Sequence, residues 1–157
     1  LIKTKKLILG LGNEILTDDS IGIRLANDLI ETELQKLATI ETASCGGMEI
    51  LERIIGFDRV VIIDSIHSSS SLPGDIYLLT PSDFKITSHV SNMHDAGFLQ
   101  ALELGNELGF KIPAEIHIVA IGVCNERKFG TGLSTALEKK YRVIFERVFS
   151  EVKKLIL

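Results

Sequence analysis

Arg59-Val60-Val61-Ile62-Ile63-Asp64 is the stretch on which the fold turns. Four consecutive β-branched apolar residues leave no face for water. A run of this kind reads as a buried strand, and strands alternating with helices imply a largely parallel sheet covered on both faces. The aspartate closing the run has a demanding place. A carboxylate at the end of a buried strand must be hydrogen-bonded, paired or metal-bound, because desolvating it alone is very costly.

On the N-terminal side, Lys5 to Leu11 is a second short apolar run, ended by glycines, and reads as another buried strand. Asp18, Asp19 and Ser20 are all residue types that cap helix starts. Ile21, Leu25 and Leu29 recur at four-residue spacing, so a helix is predicted from about Ile21 to Glu33. Ala38 to Ala43 alternates weakly, as a further strand. Gly46-Gly47 marks a loop, and Met48, Leu51, Ile54 and Ile55 trace a short helix.

On the C-terminal side, a serine loop from Ser68 to Ser71 is closed by Pro73-Gly74. The strand Asp75 to Leu79 follows so short a turn that it is expected as an antiparallel edge. Thr80 to Met93 reads as irregular. Phe98, Ala101, Leu102, Gly105 and Leu108 form a helical face starting near His94. Glu115 to Val123 reads as a strand, Asn125 to Gly132 as a loop, and Leu137 to Leu155 as an amphipathic helix. Strands alternating with helices predict a single domain over residues 1–157. Its expected form is a three-layer α/β/α sandwich whose mostly parallel sheet has about five strands, one edge strand being antiparallel.

Composition narrows the function classes. The 45% hydrophobic and 24% charged content of 157 residues is that of a globular domain rather than a disordered chain. The net charge of −4 offers no basic surplus to displace counterions, which argues against nucleic acid as a partner. No apolar run is long enough to span a bilayer. The basic start Leu1-Ile2-Lys3-Thr4-Lys5-Lys6 leads into an apolar stretch broken by Gly10 and Gly12, which reads as strand rather than signal peptide. Cys45 and Cys124 lack metal-type CxxC spacing and read as reduced thiols of a cytoplasmic protein.

In open α/β sheets, ligands collect beyond the carboxyl ends of the strands. Three loops there carry ionisable groups. Gly10-Leu11-Gly12 begins like a dinucleotide fingerprint, but Ile15 stands where the third glycine belongs, and Asp18-Asp19 would repel a pyrophosphate. Either the two carboxylates serve as a helix cap and a solvated charge, or they bind a cation. Asp64 either makes an Asx-type turn bond to the Ser65 to Ser68 loop or acts as a ligand. His94, beside Asp95, opens a helix; His89 competes with it, whereas His67 and His117 are weaker candidates. Two carboxylates and one imidazole suit a borderline divalent ion such as nickel or zinc. No H-E-x-x-H and no G-x-S-x-G occurs. Cys45 has no assignable histidine partner and reads as a structural thiol.

These residues resemble a known family. Gly10-x-Gly12-Asn13-x-x-Leu16-x-Asp18-Asp19-x-x-Gly22 is similar to the N-terminal signature of the nickel-iron hydrogenase maturation endopeptidases, with Ser20 in place of the glycine or alanine often found after the acidic pair. Gly46-Gly47-Met48-Glu49-Ile50-Leu51, Val61-Ile62-Ile63-Asp64, His94-x-x-Gly97-x-x-x-Ala101-Leu102 and Gly130-x-Gly132-Leu133-Ser134 resemble later segments of that family, in its order.

The resemblance implies a peptidase. Its substrate would be the precursor of a nickel-iron hydrogenase large subunit, from which it removes a C-terminal extension once nickel is in place. Asp19, Asp64 and His94 would be the catalytic residues and the contacts to nickel, which the precursor supplies; no organic cofactor is implied. Following Gly97 and the helix pattern, His94 is preferred to His89. Asp18 is a lesser candidate, either orienting Asp19 or acting as a general base. An aspartic-type mechanism, with two carboxylates sharing a proton, leaves His94 without a part. The alternative reading is a non-catalytic, metal-dependent module that docks on metalloprotein precursors.

Overall fold

The structure, a computed structural model, describes residues 2–67, 70–83, 97–123 and 128–157. Among these, five strands form one sheet: β1 (Lys6–Leu11), β2 (Thr39–Ala43), β3 (Arg59–His67), β4 (Ile76–Leu79) and β5 (Glu115–Val123). Their order is β2-β1-β3-β5-β4. β1 runs parallel to β2 and β3, and β3 parallel to β5. β4 pairs antiparallel with β5 and forms one edge, as the short turn before it predicts.

Four α-helices are described: α1 (Ile21–Ile30), α2 (Gly47–Ile54), α3 (Phe98–Glu107) and α4 (Thr135–Ile156). Alternation along β3 explains why both sheet faces are covered. Val61 and Ile63 point into one cluster with Ile21, Leu25 and Leu29 of α1 and Ile144, Val148 and Val152 of α4. Val60, Ile62 and Ile66 point into the other, with Ile50 and Ile54 of α2 and Phe98 of α3. Each such side chain, fully buried, contributes roughly 1.5–3 kcal/mol relative to exposure. The expected three-layer sandwich is therefore the observed one.

Three boundaries differ from the sequence reading. β3 continues past Asp64 through Ser65, Ile66 and His67, which pair with Ile121, Gly122 and Val123. A partner strand, not local composition, sets that end. α1 stops at Ile30, and the Thr32 hydroxyl accepts from Leu34 N to start a separate single turn over Glu33–Lys36. α3 begins at Phe98, after Gly97 in the left-handed conformation (φ 88°), and His94 lies outside the described residues. No described helix is long and apolar enough to cross a membrane.

α1 lies unusually close to the sheet, and Gly22 is the reason. A Cβ there would stand 2.2 Å from the Leu11 carbonyl oxygen and 2.5 Å from that of Ile63. No side chain fits between the helix and the ends of β1 and β3. This close approach draws the turn before α1, with its two aspartates, against the carboxyl edge of the sheet.

Candidate active site

The loop after β1 is tied to itself. Asn13 N donates to the Asp19 carbonyl at 3.2 Å, Asp19 N to the Leu16 carbonyl at 2.9 Å, and Ile15 N to Asn13 Oδ1 at 3.2 Å. A Cβ on Gly12 would sit 2.3 Å from the Asp19 carbonyl oxygen, so the second glycine of the G-x-G lets Asp19 close over the strand end. This glycine therefore serves a protein–protein approach within one chain rather than a pyrophosphate. Asp18 and Asp19 lie in a single 3-10 turn, Thr17–Ser20, and both are buried, each 6% exposed. Ser20 stands at the N-cap of α1 but makes no side-chain cap bond there, contrary to the simple expectation.

Asp18 caps a different helix. Its Oδ1 accepts from the backbone N–H of Ser134 at 2.6 Å, across 116 residues. Ser134 is itself the N-cap of α4, with its hydroxyl oxygen accepting from Leu137 N at 3.5 Å. Asp18 thus supplies from afar the bond to the N-cap amide that a capping box makes locally, and its charge faces the positive end of the helix dipole. The same two loops meet again where Gly130 N donates to the Ile15 carbonyl at 2.9 Å and Thr17 N to the Gly130 carbonyl at 3.2 Å. Thr17 adds a hydroxyl bond to the Lys128 carbonyl at 3.1 Å. These bonds hold Thr17 at a φ of +38°, rare for a β-branched residue.

Asp64 and Asp19 meet through Ser65. Asp64 is 2% exposed and stands one residue beyond the Gly10–Ile63 pair, level with the end of β1. Its Oδ1 accepts from Ser65 N at 2.8 Å. This is the local bond that the structural reading of Asp64 calls for, and it leaves the ligand reading open. The Ser65 hydroxyl then donates to Asp19 Oδ1 at 2.5 Å. Two carboxylates 45 residues apart in sequence are thereby joined, through one serine, at one rim. Sequence reasoning passed over Ser65, treating it as the start of a serine loop. A serine after an aspartate is common in turns and gives no signal of its own.

The other candidates separate. His94 and His89 lie outside the described residues, as does Cys124. His67 is not in a loop: it ends β3, 8% exposed, on the same strand face as Ser65. His117 sits in the first half of β5 beside Glu115, 3.5 Å away, opposite Val61 and so well back from the Asp64 level. Cys45 is a half-buried free thiol, and burial raises its pKa, the reverse of what an activated nucleophile needs. Among the described residues, no three His, Cys, Asp or Glu side chains gather into a metal-binding group. A cavity of about 600 Å3 opens at the amino edge, between Lys3–Lys6 and Gln35–Thr39, and shares no residue with the carboxylate rim.

Comparison with known proteins places the chain in a family. A family profile described as hydrogenase maturation protease matches residues 23–151. The chain belongs to that family. The protein is accordingly a peptidase that processes hydrogenase, and the non-catalytic module is set aside. Among its relatives, the hydrogenase 2 maturation protease of Escherichia coli is 28% identical over 154 residues, covering 94% of this chain and 90% of that protein. The protease shares its fold with the E. coli hydrogenase maturating endopeptidase HybD. That match has a TM-score of 0.75 at 24% identity and covers 96% of this chain and 93% of the other. The [NiFe] hydrogenase maturation protease HybD of Thermococcus kodakarensis superposes with a TM-score of 0.71 at 24% identity, over 98% and 100% of the two chains.

Proposed function

We propose that this protease removes a C-terminal extension from the nickel-loaded precursor of a nickel-iron hydrogenase large subunit. In this reading Asp19, Asp64 and His94 contact the nickel ion that the precursor carries. The observation that carries it is the Asp64–Ser65–Asp19 connection: two nearly buried carboxylates at the carboxyl edge of the sheet, joined through one serine. Carboxylate oxygens and an imidazole nitrogen make a donor set suited to a borderline divalent ion.

The ion belongs to the substrate, so its capture works first as a template. Once the precursor's metal is seated on the rim, the scissile peptide is held beside the same groups, and an encounter between two chains becomes an intramolecular step. The ion would also supply Lewis acidity at the scissile carbonyl. Asp18 is given no part in this chemistry; its Oδ1 accepts from Ser134 N–H. It supports the loop that carries Asp19. A reduced Cys45 thiol fits work in the reducing cytoplasm.

The test is mass spectrometry of nickel-loaded precursor mixed with wild type, Asp19→Ala or Asp64→Ala. Loss of a C-terminal peptide is expected with wild type and not with either variant. Cleavage by either variant at the wild-type rate contradicts the assignment.

A further inference from the structure

We infer that Ser65 is a positioning residue of the site, one that sets the direction of the Asp19 carboxylate relative to Asp64. The inference rests on the proposed reading of Asp19 and Asp64 and adds a role for the residue that joins them, tested separately from the two carboxylates. An aspartate side chain turns about two bonds, and fixing one oxygen fixes the plane of the carboxylate. Ser65 does this with a side-chain bond of 2.5 Å to Asp19 Oδ1, while its backbone N–H holds Asp64 Oδ1 at 2.8 Å.

The serine has little freedom of its own. It is 1% exposed and lies inside β3, paired with Ile121. Its hydroxyl therefore projects from a rigid strand rather than from a loop, and the geometry it imposes on Asp19 is inherited from the sheet. Asp19, by contrast, sits in a one-turn segment between a loop and a helix. A carboxylate that meets a substrate-borne ion must wait in the right orientation. Hydrogen-bond partners of ligating groups commonly carry roughly 10–100-fold in metal affinity or activity. A buried hydroxyl on the neighbouring strand is well placed for that part, and the alternation of β3 puts it on the α1 side of the sheet, where Asp19 stands.

The experiment compares Ser65→Ala, Ser65→Cys and Ser65→Thr with wild type, and runs Asp19→Ala alongside. Two quantities are read: cleavage of nickel-loaded precursor, and equilibrium binding of nickel-free precursor. Ser65→Ala is expected to lower kcat/KM for nickel-loaded precursor about tenfold or more, with nickel-free precursor bound as by wild type. Ser65→Thr, which keeps the hydroxyl, is expected to recover most of the loss. Ser65→Cys, a weaker donor of similar volume, is expected to fall between.

Wild-type cleavage by Ser65→Ala overturns the inference. So does an equal loss in binding nickel-free precursor, which marks general damage to the fold. Should Ser65→Ala fail to fold, Ser65→Cys decides: cleavage at the wild-type rate overturns, and a partial loss supports. Asp19→Ala keeps the two levels apart. If Asp19→Ala cuts normally, the site reading fails. If Asp19→Ala is inactive while Ser65→Ala is normal, only the role of Ser65 fails.

Discussion

The Ser65 hydroxyl reaches Asp19 Oδ1 at 2.5 Å, a contact between the central strand and the turn before α1 that spans 46 residues of chain. Around it the protease sorts its acidic pair into two jobs. Asp19 faces the strand that carries Asp64, while Asp18 faces away, to the start of α4. Neighbouring residues of identical chemistry thus anchor different parts of the rim.

That division predicts different variant behaviour. Asp18→Ala leaves the Ser134 amide without its carboxylate and removes a part-buried charged hydrogen bond, a loss of about 1.5–3 kcal/mol of stability. Thermal unfolding is the measurement. At temperatures where the variant is folded, it should keep substantial cleavage activity, because Asp19 and its bond to Ser65 are intact. An Asp18→Ala protein as stable as wild type contradicts the capping role.

Gly12 and Gly22 should be intolerant of even one methyl group. Gly22→Ala drives Cβ to 2.2 Å from the Leu11 carbonyl oxygen, and α1 must lift from the sheet. The expected destabilisation is about 1–3 kcal/mol or more, readable as a lower urea midpoint. Gly12→Ala pushes instead on the Asp19 carbonyl, 2.3 Å away. Its cleavage rate should therefore fall by more than its stability loss accounts for. Equal activity per folded molecule contradicts this.

Among the described residues, four surface carboxylates contribute to the acid limb of stability; the Lys153 bond holds one of them, Glu33, below the ordinary carboxylate range. The Lys111 side chain holds Asp58 below the ordinary carboxylate range, helped by the Lys5 backbone N–H. The Arg59 bond does the same for Glu115, and the Arg24 bond for Glu138. A carboxylate whose folded pKa is depressed contributes stability that is fully present above its unfolded pKa. The contribution is lost as pH falls through the folded value. These groups should therefore add nothing to pH dependence between about 6 and 8, and should weaken the protein progressively below about pH 4. Denaturation midpoints measured against pH for wild type and Asp58→Asn check it: the variant should show a shallower decline in acid.

Much of the fold is legible in the residues because burial on both faces writes an apolar run, as in Leu7–Leu11 and Val60–Ile63. What escapes is whatever a distant partner decides. Ser65, Ile66 and His67 look like the start of a loop, yet the pairing of β5 extends β3 through them. Asp18 looks like a cap for the helix that follows it, yet its partner amide is at Ser134. In the site, Asp64 is conspicuous because a carboxylate ends a run of four β-branched residues, and Asp19 stands out by its place after Gly12. Ser65 carried no such mark. A serine after an aspartate is common in turns, and only the register of β3 against the α1 turn gives its hydroxyl a partner. The choice between His94 and His89 falls on residues outside those described.

The central claim is that a metal ion in the substrate licenses the cut. It is tested most directly by single-turnover cleavage of one precursor preparation, half loaded with nickel and half kept nickel-free, at matched concentrations of wild-type protease. The account predicts release of the C-terminal peptide from the loaded half alone, and no release from either half with Asp19→Ala. Equal release from the nickel-free precursor would contradict it.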